Sequence, residues 1–227
     1  MKIASGLLVC VIAASSGMMS QTKRPSIVTE KIEWTWADRP EHPNRSLPNV
    51  LLLGDSITRA YYPETVKELD GVANVYLFAT SCSSGDPRLV GQVRDYFAMA
   101  GVPFSVVHFN NGMHGWGYSE TQYSGGLPDF ISALRRGAPK AMLIWATTTP
   151  IRKDATDEGR TNVRIDERNR LAGVVMRHEA ISVDDQHALM SEHQDMHGDD
   201  VHFTTEGSAV QAKKVADALK AILKPST

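Results

Sequence analysis

The sequence predicts one α/β domain built on a five-stranded parallel sheet. Three observations carry that expectation. Short apolar runs alternate with segments of helical periodicity, five times over, from about residue 49 onward. The runs are continuously apolar, as strands covered on both faces must be. The 227 residues are ample for one core and show no linker, internal repeat or low-complexity stretch.

The elements follow in order. Asn49-Val50-Leu51-Leu52-Leu53 reads as the first strand and stops at Gly54. A helix is expected from Pro63, a residue suited to a first helical position, with Val66 and Leu69 on its inner side. Val75-Tyr76-Leu77-Phe78 is the second strand, and Leu89, Val90, Val93, Tyr96 and Phe97 then recur at helical spacing. Ser105 to Phe109 is the third strand. Tyr123, Leu127, Phe130, Ile131 and Leu134 mark a helix that Gly137 can stop. Ala141 to Ala146 is the fourth strand, residues 162–178 a helix, and Ile181-Ser182-Val183 a short fifth strand. Ala209, Ala212, Val215, Leu219 and Ile222 place one apolar face on the last helix. In an open parallel sheet ligands bind beyond the carboxyl ends of the strands. The loops after Leu53, Phe78, Phe109, Ala146 and Val183 are therefore where chemistry is expected.

Composition narrows the function. Lys and Arg number 24 against 26 Asp and Glu, a formal charge of −2. That balance excludes the basic excess of a typical nucleic-acid binder. Apolar residues at 42% and charged at 22% are ordinary for a globular protein. Two cysteines, Cys10 and Cys82, exclude a disulfide scaffold or a multi-cysteine zinc module.

The first residues read as a targeting signal. Lys2 precedes the largely apolar run Ile3 to Ala14, and Ala14-Ser15-Ser16-Gly17 supplies small residues. A basic start, a short apolar centre and a small-residue end describe a secretory signal peptide. The run is too short to span a bilayer. Residues 1–16 are thus expected to be removed after Ser16, leaving a lead-in over 17–48 and the domain over 49–227, secreted or periplasmic and without membrane insertion. Cys82 would then lack an intrachain partner. Trp34 and Trp36, in the lead-in, are expected to pack across the domain.

Two motifs carry chemistry. Gly54-Asp55-Ser56-Ile57 follows the first strand, so the Ser56 hydroxyl should face the crevice. Its backbone N–H would sit near a helix N-terminus, where negative charge is favoured. Asp199-Asp200-Val201-His202 precedes the last helix. A serine hydroxyl needs a base to take its proton, and the base needs an acid to fix its tautomer. Asp199 and His202, three apart, can supply both. Either motif alone is common in loops; together, at the two ends of an α/β chain, they are specific.

On these residues the sequence resembles the GDSL, or SGNH, hydrolase family, over essentially the whole domain. The resemblance implies a three-layer α/β/α sandwich, flavodoxin-like, with strand order 2-1-3-4-5. It implies a serine esterase, lipase, thioesterase or carbohydrate deacetylase that needs no cofactor. Ser56 resembles the nucleophile, His202 the general base and Asp199 its orienting acid. Ser83-Ser84-Gly85 resembles the second block, in which Gly85 N–H would join Ser56 N–H in the oxyanion hole. The third block departs from the family's Gly-x-Asn-Asp: the chain reads Phe109-Asn110-Asn111-Gly112-Met113-His114. Asn110 or Asn111 can supply the third donor, and Asn111 is favoured; backbone N–H groups are the alternative.

His114, Trp116 and Tyr118 are expected to contact substrate, and Thr147-Thr148-Thr149-Pro150 to line the site. Asp55 is expected to hold the Ser56 turn rather than to move protons. His193, Asp195, His197, Asp199, Asp200 and His202 crowd one stretch, but a solvated loop is the simpler reading and no metal is expected. Export and an aromatic, polar third loop suggest a small-molecule or polysaccharide ester, such as an acetylated carbohydrate. A lipid or thioester acyl hydrolase is the first alternative. A non-catalytic carbohydrate- or metal-binding protein on the same fold is the second.

Overall fold

The computed structural model describes residues 27–223. The expected signal peptide lies outside the described residues. Six strands form one sheet in the order β1-β3-β2-β4-β5-β6. They are β1 (Thr35–Asp38), β2 (Asn49–Gly54), β3 (Asn74–Thr80), β4 (Val106–Phe109), β5 (Met142–Ala146) and β6 (Ser182–Asp184). All neighbours pair parallel except β1, which runs antiparallel to β3. Without β1 the order is the one expected from the family resemblance.

The sixth strand corrects the expectation of five. All four residues of β1 are exposed, so Thr-Trp-Ala-Asp carries no apolar periodicity for a sequence reading to detect. It is held by pairing, Thr35 opposite Thr80 and Asp38 opposite Leu77. It thereby covers the backbone edge that β3 would otherwise leave open.

The continuous apolar strands serve two cores. Leu51 and Leu53 of β2 face one cluster with Phe78, Phe109 and Trp145. There they meet α2 (Arg88–Ala100), α3 (Glu120–Gly137) and α4 (Asn162–His178). Val50 and Leu52 face the opposite cluster, built with α1 (Ser56–Glu68) and α6 (Thr205–Leu223). A short α5 (Gln186–Ser191) precedes the stretch read as a solvated loop, and a 3-10 turn (Gln194–Met196) lies within it. Their brevity hides them from periodicity.

Two helices differ in detail. α1 begins at Ser56, not Pro63, because the Asp55 carboxylate caps it by accepting the Ile57 N–H at 2.9 Å. Pro63 lies inside the helix, where burial of Ile57, Tyr61 and Tyr62 outweighs the lost backbone bond. Val66 is exposed, and Leu69 alone of the expected pair is buried. On α6 the inner face is Ser208, Gln211, Ala212, Val215, Ala216 and Leu219, while Ala209 is exposed.

Candidate active site

The site forms where β2 ends. Gly54 is needed there, because a Cβ would lie 2.1 Å from Thr58 Oγ1. The strand therefore passes directly into α1, and Ser56 takes the first helical position with Asp55 as its cap. This puts the hydroxyl at the carboxyl edge of the sheet and its N–H among the unpaired donors of a helix N-terminus.

The other half comes from the loop before α6. Ser56 Oγ lies 2.7 Å from His202 Nε2, and His202 Nδ1 lies 2.8 Å from Asp199 Oδ2. Asp199 Oδ1 accepts the backbone N–H groups of Val201 at 2.7 Å and His202 at 2.6 Å. Burial opposes ionisation of Asp199, but these N–H groups and the imidazole outweigh it and hold the carboxyl down at about 2. An ionised Asp199 fixes the proton on Nδ1 and leaves Nε2 as the acceptor for the serine proton. The three residues expected to act together are thus joined in one hydrogen-bonded chain.

The remaining expected residues separate. His114 and Trp116 line a cleft of about 540 Å³ together with Ser56, His202, Met113 and Val201. Tyr118 does not: it is buried, packs against Gly85, and its hydroxyl accepts the Val28 N–H at 2.7 Å. Gly85 lines a different cleft with Pro87, Leu89 and Phe130, and its N–H points at Ser83 Oγ, 3.3 Å away. Asn110 Nδ2 donates to Ala146 O at 2.7 Å and to Thr148 Oγ1 at 3.1 Å, so both of its N–H groups are engaged. Asn111 is buried between loops, donating to Cys82 O at 2.8 Å and accepting from Ser84 N–H. One Asn111 N–H has no partner among the described residues.

Thr147, Thr148 and Thr149 line a small polar cavity under Asp55 rather than the Ser56 cleft. Trp34 packs edge-on to His114 with ring centres 5.7 Å apart, whereas Trp36 is half exposed under Arg59. Cys82 is buried and free, and burial pushes its thiol up to about 12. Of the six residues weighed as metal ligands, Asp199 binds His202, Asp200 pairs with Arg152, and His197 stacks on Phe203. Among the described residues no three His, Cys, Asp or Glu side chains come together as a metal site.

Two structural features escaped the sequence reading. Arg168, fully buried on α4, donates to Gly112 O at 2.9 Å, His114 O at 2.7 Å and Gly115 O at 2.9 Å. It also lies 4.0 Å from the Trp116 ring centre. Its signal was present: Arg168 falls on the stripe Ile165, Ala172, Met176, an interior position for a cation. The segment Val28–Ile32 forms a wall of the cleft. Glu30 fixes it there, accepting from His114 Nδ1 at 2.8 Å and Gly115 N–H at 2.7 Å. Nothing local in a polar lead-in marks Glu30.

Comparison with known proteins finds the same fold. Neither protein-family models nor curated proteins match the chain. Solved structures do. An aryl esterase of M. smegmatis aligns at TM-score 0.64 and 12% identity, over 77% of this chain and 99% of that one. A carbohydrate esterase family 3 protein of Talaromyces cellulolyticus aligns at 0.60 and 15%, over 79% and 100%. A lipolytic protein of the G-D-S-L family from Veillonella parvula aligns at 0.56 and 20%, over 77% and 98%. Many further neighbours are GDSL or SGNH hydrolases. The α/β/α fold of this chain is that of the SGNH hydrolases.

Proposed function

We propose that the chain is an exported serine esterase that removes short acyl groups, acetyl above all, from carbohydrate. The observation that carries the reading is the unbroken chain Ser56 Oγ, His202 Nε2, His202 Nδ1, Asp199 Oδ2, with links of 2.7 and 2.8 Å. Ser56 Oγ attacks the ester carbonyl as His202 Nε2 takes its proton, and Asp199 stabilises the imidazolium. Ser56 N–H and the unengaged Asn111 N–H support the carbonyl oxygen as it gains charge. His202 then protonates the departing alcohol, and water repeats the sequence on the acyl-enzyme.

The cleft supports a carbohydrate alcohol. Trp116 offers a ring for stacking, and Glu30, Lys31, Glu158 and Arg160 offer polar partners. Among the described residues its aliphatic and thioether lining comes from Val28, Ile32, Met113 and Val201, which suits a short acyl group. Export rests on the Lys2 start, the apolar run and the small residues after it.

A chain-length series of chromogenic esters, run beside acetylated xylan and pectin on culture medium and cell fractions, tests all of this. Acetyl release should dominate, appear outside the cytoplasm, and vanish in Ser56→Ala. Full activity in Ser56→Ala would sink the mechanism, and a preference for long acyl chains would move the reading to a lipid hydrolase.

A further inference from the structure

We propose that His114 completes the oxyanion hole, its Nε2–H donating to the carbonyl oxygen while Glu30 holds Nδ1–H. The inference rests on the esterase reading above and adds a donor beside the Ser56 and Asn111 N–H groups.

Three observations converge. First, two expected donors are diverted: Gly85 faces another cleft and Asn110 is saturated. His114 lines the cleft that holds Ser56. Second, both oxygens of the Glu30 carboxylate are engaged, one by His114 Nδ1 and one by Gly115 N–H. An ionised carboxylate only accepts, so Nδ1 must carry a proton. A neutral His114 therefore has a bare Nε2, and an imidazolium has an N–H there. Third, Nε2 is buried and meets no partner among the described residues. A buried donor without a partner is costly, a charged one most of all, and a substrate oxygen would satisfy it. Trp34, edge-on, and Arg168, on the His114 carbonyl, fix the ring and its backbone.

The surrounding charges favour the cation. Burial disfavours it, but the Glu30 hydrogen bond and the charges of Asp55 and Glu30 outweigh burial and Arg160, and raise the His114 pKa. Lys31, Glu158 and His202 share the cleft, and Arg168 lies beneath Glu30. Activity thus needs His202 neutral and His114 protonated. The rate falls as pH passes through the raised value of His114. No proton leaves His114 in the reaction; the serine proton goes to His202.

The test measures kcat and KM for p-nitrophenyl acetate from pH 5 to 10 in the wild type, Ser56→Ala, His114→Gln and Glu30→Gln. His114→Gln should lower kcat about 10²–10³-fold, change KM less than about threefold, and lose the alkaline limb. Glu30→Gln should move the alkaline limb down by about one pH unit, which a merely structural role would not do. Nitrogen-15 NMR of the imidazoles gives a direct reading should His114→Gln not fold: after a phosphonate is attached to Ser56, Nε2 of His114 should keep its proton to higher pH than in the free enzyme. Unchanged kcat with raised KM, an unmoved alkaline limb in Glu30→Gln, or identical titration with and without phosphonate would overturn the inference alone. Wild-type turnover no different from Ser56→Ala would overturn the esterase reading with it.

Discussion

Asp199 shows how one carboxylate serves both shape and chemistry. Oδ1 closes the turn by binding two backbone N–H groups, and Oδ2 holds the imidazole. Asn at this position keeps the turn but can present an N–H to Nδ1, forcing the wrong tautomer on His202. Asp199→Asn should therefore lower kcat by about 10⁴-fold, as tautomer reversal does in a serine protease triad, while the melting temperature barely moves. Asp199 is exposed and its pair is screened. Steady-state kinetics beside a thermal melt check this, and a collapse of both together would show a structural role. Its carboxyl, held at about 2, stays ionised across the working range.

α4 acts on the site at the scale of an element. Arg164 and Arg168, one turn apart, collect the carbonyls of residues 112, 114, 115, 116 and 118. Glu120 accepts from Arg164 at 2.6 Å. The third loop is thereby pulled onto the helix, and Gly115 accommodates the bend at φ +72°, where a Cβ would also strike Ser83. Burial lowers the Arg168 guanidinium to about 10, still charged at neutral pH. Arg168→Met fills the space but leaves three carbonyls without donors. It should cost about 3–5 kcal/mol, the range for breaking a buried charge network, read from urea unfolding, and lower kcat as His114 and Trp116 lose their support. A stability loss below about 1 kcal/mol would show that water replaces the guanidinium.

Across the whole molecule, a buried His–Asp hydrogen bond ties the middle of the sheet to its far edge. His108 Nε2 on β4 and Asp184 Oδ2 on β6 lie 3.0 Å apart with both side chains almost fully buried. Burial raises the Asp184 pKa, but the His108 and Gln186 contacts outweigh it and hold it below the ordinary carboxylate value. A depressed value means that the ionised form favours the fold. The stability it contributes is present above the unfolded pKa of about 4 and fades as pH falls through the lower folded value. Asp184→Asn should thus cost about 3 kcal/mol at pH 7, and the gap to wild type should narrow on acidification toward pH 2. Melting temperatures of both proteins from pH 7 to 2 check it; a constant gap would assign the pair no role in acid unfolding.

The parallel core and the Ser56–His202–Asp199 set were legible in the chain because both rest on local pattern. A strand buried on both faces must be apolar throughout, and a turn that ends it must carry small and capping residues, as Gly54 and Asp55 do. The last helix was legible for the same reason, apart from Ala209, which the packing of α1 leaves exposed. What only the tertiary structure decided depends on residues distant in sequence. β1 has no apolar signature, and β3 alone makes it a strand. Glu30 acquires meaning from His114, 84 positions away. Gly85 and Tyr118, assigned to the crevice by their place after strands, turn to each other instead, because their loops fold against α3 and leave the cleft wall to the N-terminal segment. Local periodicity fixes which side of an element is apolar; which loop covers which is settled by hydrogen bonds that no sequence spacing records.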